Sequence, residues 1–448
     1  MEKQLTPKYI VEELDKYIVS QDEAKKSVAI SLRNRMRRKL VEDADLRQEI
    51  TPKNIILIGN TGVGKTEIAR RLAKIANAPF IKVEATKYTE IGYVGNDVES
   101  IIKDLANIAF KNLKEERRKE LEVELSDEIY ERVAKIYKPY DTLNDEEKLA
   151  IIEEIKSGKL DDVDININFP EEEDPKKGNL PKIIEINAQA DNTAEEIQNI
   201  ISNMMGNLAN IPSRERGPLE MTIKRAYKYL LDREVEEYLD IKELEEEVVE
   251  IVQEEGIVFI DEIDKIVERE GNNRGEVSRQ GVQRDILPIV EGCTVSTKYG
   301  PIKTDHILFI AAGAFSQSSP KDIMPELQGR FPLTVKLNPL RKEEFIKILT
   351  VVENNLLKQY ETLMLQDDVI LKFSKSGIEE IAEIAFNLNE KTEDIGARRL
   401  HTILETVLRE IMYEAPYEEK KKITIDKKYV RKVFGNDFED ENLDRYIL

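Results

Sequence analysis

The stretch Gly59-Asn60-Thr61-Gly62-Val63-Gly64-Lys65-Thr66 satisfies the pattern GxxxxGK[ST], and its surroundings give that pattern physical meaning. The apolar run Ile55 to Ile58 before it reads as a buried parallel strand, and a helical pattern opens at Lys65. Glycines let such a loop curl until several backbone N–H groups face one phosphate chain, and the helix that opens there adds its positive end. Lys65 is then expected to reach the β and γ phosphates, and the Thr66 hydroxyl to bind Mg²⁺. Gly59, Thr61, Gly62, Val63 and Gly64 complete the cradle. A glycine turn that merely joins strand to helix is the plainer alternative, and the flanking pattern weighs against it. The motif commits this part of the chain to an α/β fold with a parallel sheet.

A nucleotide hydrolase built this way needs a second strand ending in carboxylates, and "GIVFIDEIDKI" supplies it, with Ile257 to Ile260 before Asp261 and Glu262. Asp261 is placed to hold Mg²⁺ through water, and Glu262 to polarise the attacking water as general base. Another core strand is expected in "HILFIAAGAF", residues 306 to 315. Its end ought to carry a polar residue that senses phosphate, yet positions 311 and 312 are both alanine. That role stays without an owner, since neither Gly313 nor Ser316 is compelling.

Roughly 200 residues separate Lys65 from Asp261, far more than the intervening βα units of a compact sheet require. An inserted, mostly helical domain is therefore expected at 110–243. It contains the acidic, proline- and glycine-rich "DDVDININFPEEEDPKKGNLPK", which reads as mobile. The nucleotide-binding domain is then discontinuous, 1–109 and 244–335. Residues 336–448 form a small carboxyl-terminal α+β domain, helical through residue 415, then a short strand and a last helix in "KKITIDKKYVRKVFG".

Composition narrows the chemistry. The chain has 448 residues with 68 basic and 89 acidic side chains, a net charge of −21 that repels phosphate backbones, so nucleic acid is a poor partner. The basic cluster Arg33, Arg35, Arg37, Arg38 and Lys39 reads as a solvated helix face or a subunit contact. The lone Cys293 rules out an internal disulfide framework and any multi-cysteine zinc site. There is no HExxH and no GxSxG, and the two histidines, His306 and His401, are far apart, so the chain is not expected to cleave peptides itself. Neither a signal peptide nor a membrane-spanning run is evident, which points to the cytoplasm and away from the membrane.

The order of phosphate loop, DE-ended strand, "LQGRFP" and "IGARRLHT" resembles an AAA+ ATPase core with its small helical lid. With "GYVG" after "APFIKVEATKYTE", the long insertion, "VSRQGVQRDILPIVEG" and the terminal "DRYIL", the likeness narrows to the HslU (ClpY) family of Clp/Hsp100 unfoldases. It covers nearly the whole chain and is weakest inside the insertion. The resemblance implies a homohexameric ring that hydrolyses ATP, unfolds protein substrates, threads them through a central pore and activates the HslV (ClpQ) peptidase. By the same resemblance Ile18 and Val19 contact adenine, although such residues alone are more often ordinary core. Arg330 is the finger that reaches the neighbouring subunit's nucleotide, with Glu326 beside the same interface, and Arg398 senses the γ-phosphate. Arg399 is expected to face elsewhere on the helix. Gly92, Tyr93, Val94 and Gly95 form the pore loop, where flanking glycines permit a swing and the aromatic ring grips any polypeptide. Tyr446, Ile447 and Leu448 tip a tail that docks on the peptidase. A free-standing remodelling chaperone is the main rival reading, and the "DRYIL" tail argues against it. A nucleic-acid motor on the same core would need basic pore loops, which this sequence does not offer.

Overall fold

A computed structural model describes residues 5–88, 97–139, 143–167, 219–267 and 279–434. Among them the strands are β1 (Ile55–Ile58), β2 (Phe80–Glu84), β3 (Asp164–Ile167), β4 (Leu219–Thr222), β5 (Ile257–Asp261) and β6 (Thr294–Thr297). There follow β7 (Gly300–Lys303), β8 (Leu308–Gly313), β9 (Leu333–Lys336), β10 (Val369–Phe373) and β11 (Lys421–Ile425). The chain divides into two compact units, one of Met1–Lys114 with Ile241–Leu448 and one of Glu115–Asp240.

The first unit is built on a parallel sheet in the order β2-β5-β8-β1-β9. Its inner strands β1, β5 and β8 are short apolar runs because both faces are covered by protein, whereas the edge strands β2 and β9 carry Lys82, Thr334 and Lys336. Ile55, Leu57, Ile257, Phe259, Leu308, Ile310 and Ala312 enter one core, while Ile56, Val258, Ile260, Phe309 and Ala311 enter the other, as the period of two dictates. The first face packs the helices Pro7–Asp15, Asp22–Lys39 and Lys65–Ala76, and its apolar side chains run on into the carboxyl-terminal helices. The second face packs the start of the helix Ser100–Tyr137 and the helices Ile241–Glu255 and Arg279–Glu291. Registers Ile58↔Gly313 and Glu84↔Asp261 bring the carboxyl ends of the strands level, which is where α/β sheets build their ligand sites.

In the second unit, β3 and β4 pair antiparallel and the helix Ile223–Tyr238 follows β4 directly. Tyr130 stacks on Tyr227 with ring centroids 4.2 Å apart, and Arg118 and Arg132 pair with Asp232 and Glu234. The helix Asp145–Lys156 starts with a capping box between Asn144 and Glu147.

Several local expectations change. Residues 164–167, part of the acidic stretch read as mobile, form β3, because the alternation Asp-Ile-Asn-Ile buries Ile165 and Ile167 once β4 is beside it. The helical reading through residue 415 is interrupted by β10, which pairs parallel with β11. The hairpin β6–β7 was not anticipated either. Arg35 and Arg38 are not on a solvated face but buried. Arg35 donates to the carbonyls of Glu254, Glu255 and His306, and Arg38 donates to Glu254 at 2.6 Å. Each guanidinium replaces lost hydration with several acceptors, which allows a basic residue to be buried.

Candidate functional site

Because β1 lies between β8 and the edge strand β9, the phosphate loop leaves the sheet from an inner strand, with Gly59 N–H donating to the Gly313 carbonyl at 3.1 Å. Gly62 and Gly64 adopt φ of +77° and +103°, left-handed backbone that only glycine enters without strain. The helix Lys65–Ala76 starts there, so its free N–H groups face the loop. Lys65 is 9% exposed, and its Nζ donates to the carbonyls of Gly59 at 2.5 Å and Asn60 at 2.8 Å. Burial lowers its pKa, with Asp261 and Asp264 pulling the other way.

The Thr66 hydroxyl lies 3.4 Å from Asp261 Oδ2, so two oxygen donors of different chain segments meet beside the loop. The same carboxylate oxygen is 2.8 Å from Lys82 Nζ on β2. Glu262 follows in left-handed backbone, φ 57°, is exposed, and donates its N–H to Asp261 Oδ1 at 3.1 Å. Asp264 accepts from Phe315 N–H at 3.2 Å, tying the turn after β5 to the turn after β8.

Gly62, Gly64, Lys65, Thr66, Asp261 and Asp264 line a cavity of about 590 Å³, within the range of small-molecule sites. Of the residues expected from sequence, Ile18, Val19, Thr61, Gly62, Val63, Gly64, Lys65, Thr66, Asp261, Glu262 and Arg398 border it. Gly59 is behind this wall, serving as acceptor for Lys65. Arg330 and Glu326 do not border the cavity. Arg330 is about half exposed and paired with Glu291, while Asn54 Nδ2 fixes its carbonyl at 3.1 Å. Gly313 and Ser316 reach the cavity wall, whereas Ala311 and Ala312 are buried in the sheet. Arg399 is 4% exposed and turned into the protein, as its neighbour Arg398 is not. Gly92, Tyr93, Val94, Gly95, Tyr446, Ile447 and Leu448 lie outside the described residues.

Sequence reasoning missed the wall opposite the phosphate loop. Tyr17 borders the cavity beneath Arg71, whose guanidinium carbon is 3.6 Å from the ring centroid. The Glu353 carboxylate raises the pKa of the Tyr17 hydroxyl, and Glu353 N–H donates to the Lys16 carbonyl at 2.8 Å. Leu340, Ile348 and Val352 add apolar surface next to Ile18 and Val19. The cavity thus has an apolar end suited to a planar base and a polar end with Lys65, Thr66 and Asp261 suited to phosphates. Among the described residues no group of three or more His, Cys, Asp or Glu could hold a metal ion. No helix among them is long and apolar enough to cross a membrane.

Comparison with known proteins agrees with this geometry. Residues 55–157 match the family described as "ATPase family associated with various cellular activities (AAA)", and residues 182–334 match "AAA domain (Cdc48 subfamily)". The chain is 49% identical over 460 residues to the ATP-dependent protease ATPase subunit HslU of Persephonella marina, with 100% of each chain covered. It is 46% identical over 469 residues to the protein of the same name from Thermosipho africanus, with 99% of each covered. A likeness of that depth over the full length, joined to a phosphate loop and a DE-ended strand that meet at one cavity, establishes that the chain belongs to the HslU family of AAA ATPases.

Proposed function

We propose that the chain is the ATP-driven unfoldase and translocase of a two-component protease, a homohexameric ring that threads proteins into an HslV peptidase and activates it. The observation that carries this reading is the meeting of Lys65, Thr66 and Asp261 on one cavity wall with Arg398 bordering the same cavity. In it, Gly59 to Thr66 cradle the phosphates, Ile18 and Val19 flank adenine, and Lys65 swings from the loop carbonyls to the β and γ phosphates. Thr66 and Asp261 would hold Mg²⁺, which would supply positive charge to offset that developing on the phosphoryl oxygens. Glu262 orients and deprotonates the attacking water, and Arg398 contacts the γ-phosphate.

In this reading Arg330, which does not border its own subunit's cavity, serves a neighbour's, with Glu326 beside the same interface. A planar, permanently charged guanidinium suits the charge of a transferring phosphoryl group, and such fingers are worth roughly 10³ to 10⁵ in rate. In this reading residues 1–109 and 244–335 are the motor, 110–243 guards the pore entrance and 336–448 is the lid with its docking tail. Gly92 to Gly95 line the pore and the assembly works in the cytoplasm, on proteins rather than nucleic acid.

The decisive experiment follows loss of a folded, tagged fluorescent protein with ATP and an HslV peptidase, comparing wild type with Tyr93→Ala while ATP hydrolysis is measured in parallel. Continued hydrolysis with the substrate left folded is the expected result. Equal degradation by both proteins would return Gly92 to Gly95 to a structural turn and place the pore elsewhere.

A further inference from the structure

The phosphate loop is joined to the segment before Arg398 by a side-chain bridge. Asn60 Nδ2 donates to Asp394 Oδ2 at 2.8 Å, and Asp394 Oδ1 accepts from Gly396 N–H at 2.9 Å. One carboxylate therefore ties the second residue of the loop to the turn that leads into Arg398. The backbones meet alongside it, with Ala397 N–H donating to the Gly62 carbonyl at 3.1 Å. The approach leaves no room for side chains. A Cβ at Gly62 would be 2.0 Å from the Ile395 carbonyl oxygen, and one at Gly396 would be 2.6 Å from the Gly62 carbonyl carbon.

The turn is rigid in its own right. Buried Arg399 donates to Asn389 Oδ1 at 3.1 Å, Thr392 Oγ1 at 2.9 Å and the Glu393 carbonyl at 2.9 Å. Asn389 in turn donates to the Gly396 carbonyl at 3.1 Å. A rigid turn fastened to the phosphate loop carries Arg398 as a fixed projection, and Arg398 borders the cavity.

We propose that Asn60 and Asp394 are a positioning pair for ATP hydrolysis, whose bridge sets where the Arg398 guanidinium meets the γ-phosphate. This rests on the reading that Arg398 contacts that phosphate. The residue types matter: a neutral amide donor must face a carboxylate acceptor, because two carboxylates there would repel and open the loop from the turn. Exchanging the two types restores the bridge with its polarity reversed, since an amide at 394 can donate to a carboxylate at 60 and still accept from Gly396 N–H. The exchange also leaves the total charge unchanged.

The test is steady-state ATP hydrolysis by the full-length protein with Mg²⁺ present, for Asn60→Asp, the double variant Asn60→Asp/Asp394→Asn, and Arg398→Ala. The thermal midpoint without nucleotide is followed for each. Asn60→Asp is expected to lower kcat roughly tenfold, the scale of one charge-assisted hydrogen bond, with an unchanged midpoint. The double variant is expected to recover kcat to within about twofold, while any rise in KM from a carboxylate near the phosphates persists in both. A kcat unaffected by Asn60→Asp, or not recovered in the double variant, overturns the positioning pair, provided Arg398→Ala has abolished hydrolysis. Normal hydrolysis by Arg398→Ala overturns the reading of Arg398 and the pair with it.

Discussion

At the scale of single residues, legibility followed contiguity. The phosphate loop was readable because its chemistry is local: glycines, Lys65 and Thr66 stand in one run and fix their own geometry. Lys82 was not, because its pairing with Asp261 depends on β2 lying next to β5 in a particular register. The buried Arg35 was misread for the same reason, its acceptors being carbonyls more than two hundred residues away. His306 sits near this arginine pair with Nδ1 unpartnered among the described residues, and burial, then Arg38, lowers its pKa from 6.5. The sign follows directly. Below pH 6.5 the unfolded chain takes up a proton that the folded chain withholds, so this histidine subtracts stability as pH falls toward its folded pKa. His306→Gln is therefore expected to lose less thermal midpoint than wild type between about pH 7 and about pH 5. A matching loss in both proteins would show that His306 does not contribute.

At the scale of elements, the start of the helix Arg398–Glu414 separates two arginines that the sequence sets side by side. Successive helical residues point about 100° apart, so one can face the cavity while the next is buried. Arg399→Ala leaves several acceptors unpaired and should lower stability by about 2 to 4 kcal/mol in denaturant unfolding. Arg398→Ala should leave the unfolding curve in place while ATP hydrolysis disappears. Reversed outcomes would exchange the two roles. Among the strands, β1, β5 and β8 were legible as bounded apolar runs, whereas β10 was not. Val369–Phe373 lies in a region of helical periodicity, and only its distant parallel partner β11 makes it a strand.

At the scale of the whole molecule, the interval between the phosphate loop and the DE-ended strand announced that something lay between the halves of the nucleotide core. Its internal fold was not readable, because β3 and β4 pair across a long interval. Since the sheet and both its covering cores are made by residues of the first unit, replacing 115–240 with a flexible linker is expected to preserve ATP hydrolysis while degradation of folded proteins falls sharply. Loss of ATPase activity in that variant would show the insertion to be part of the motor. Removing Tyr446 to Leu448 should leave ATP hydrolysis largely intact and abolish activation of the peptidase, and undiminished activation would sink the docking role of the tail.

The strand order has a further consequence, for synthesis. β1 lies between β8 and β9, both of which are encoded far downstream. Roughly 250 residues must leave the ribosome after β1 before β8 can join it, on the order of ten to fifty seconds at ordinary translation rates. Through that interval a fully apolar strand has two open edges, each able to template a foreign strand. The nascent amino-terminal third is thus exposed to aggregation until the last strands of the sheet have been made.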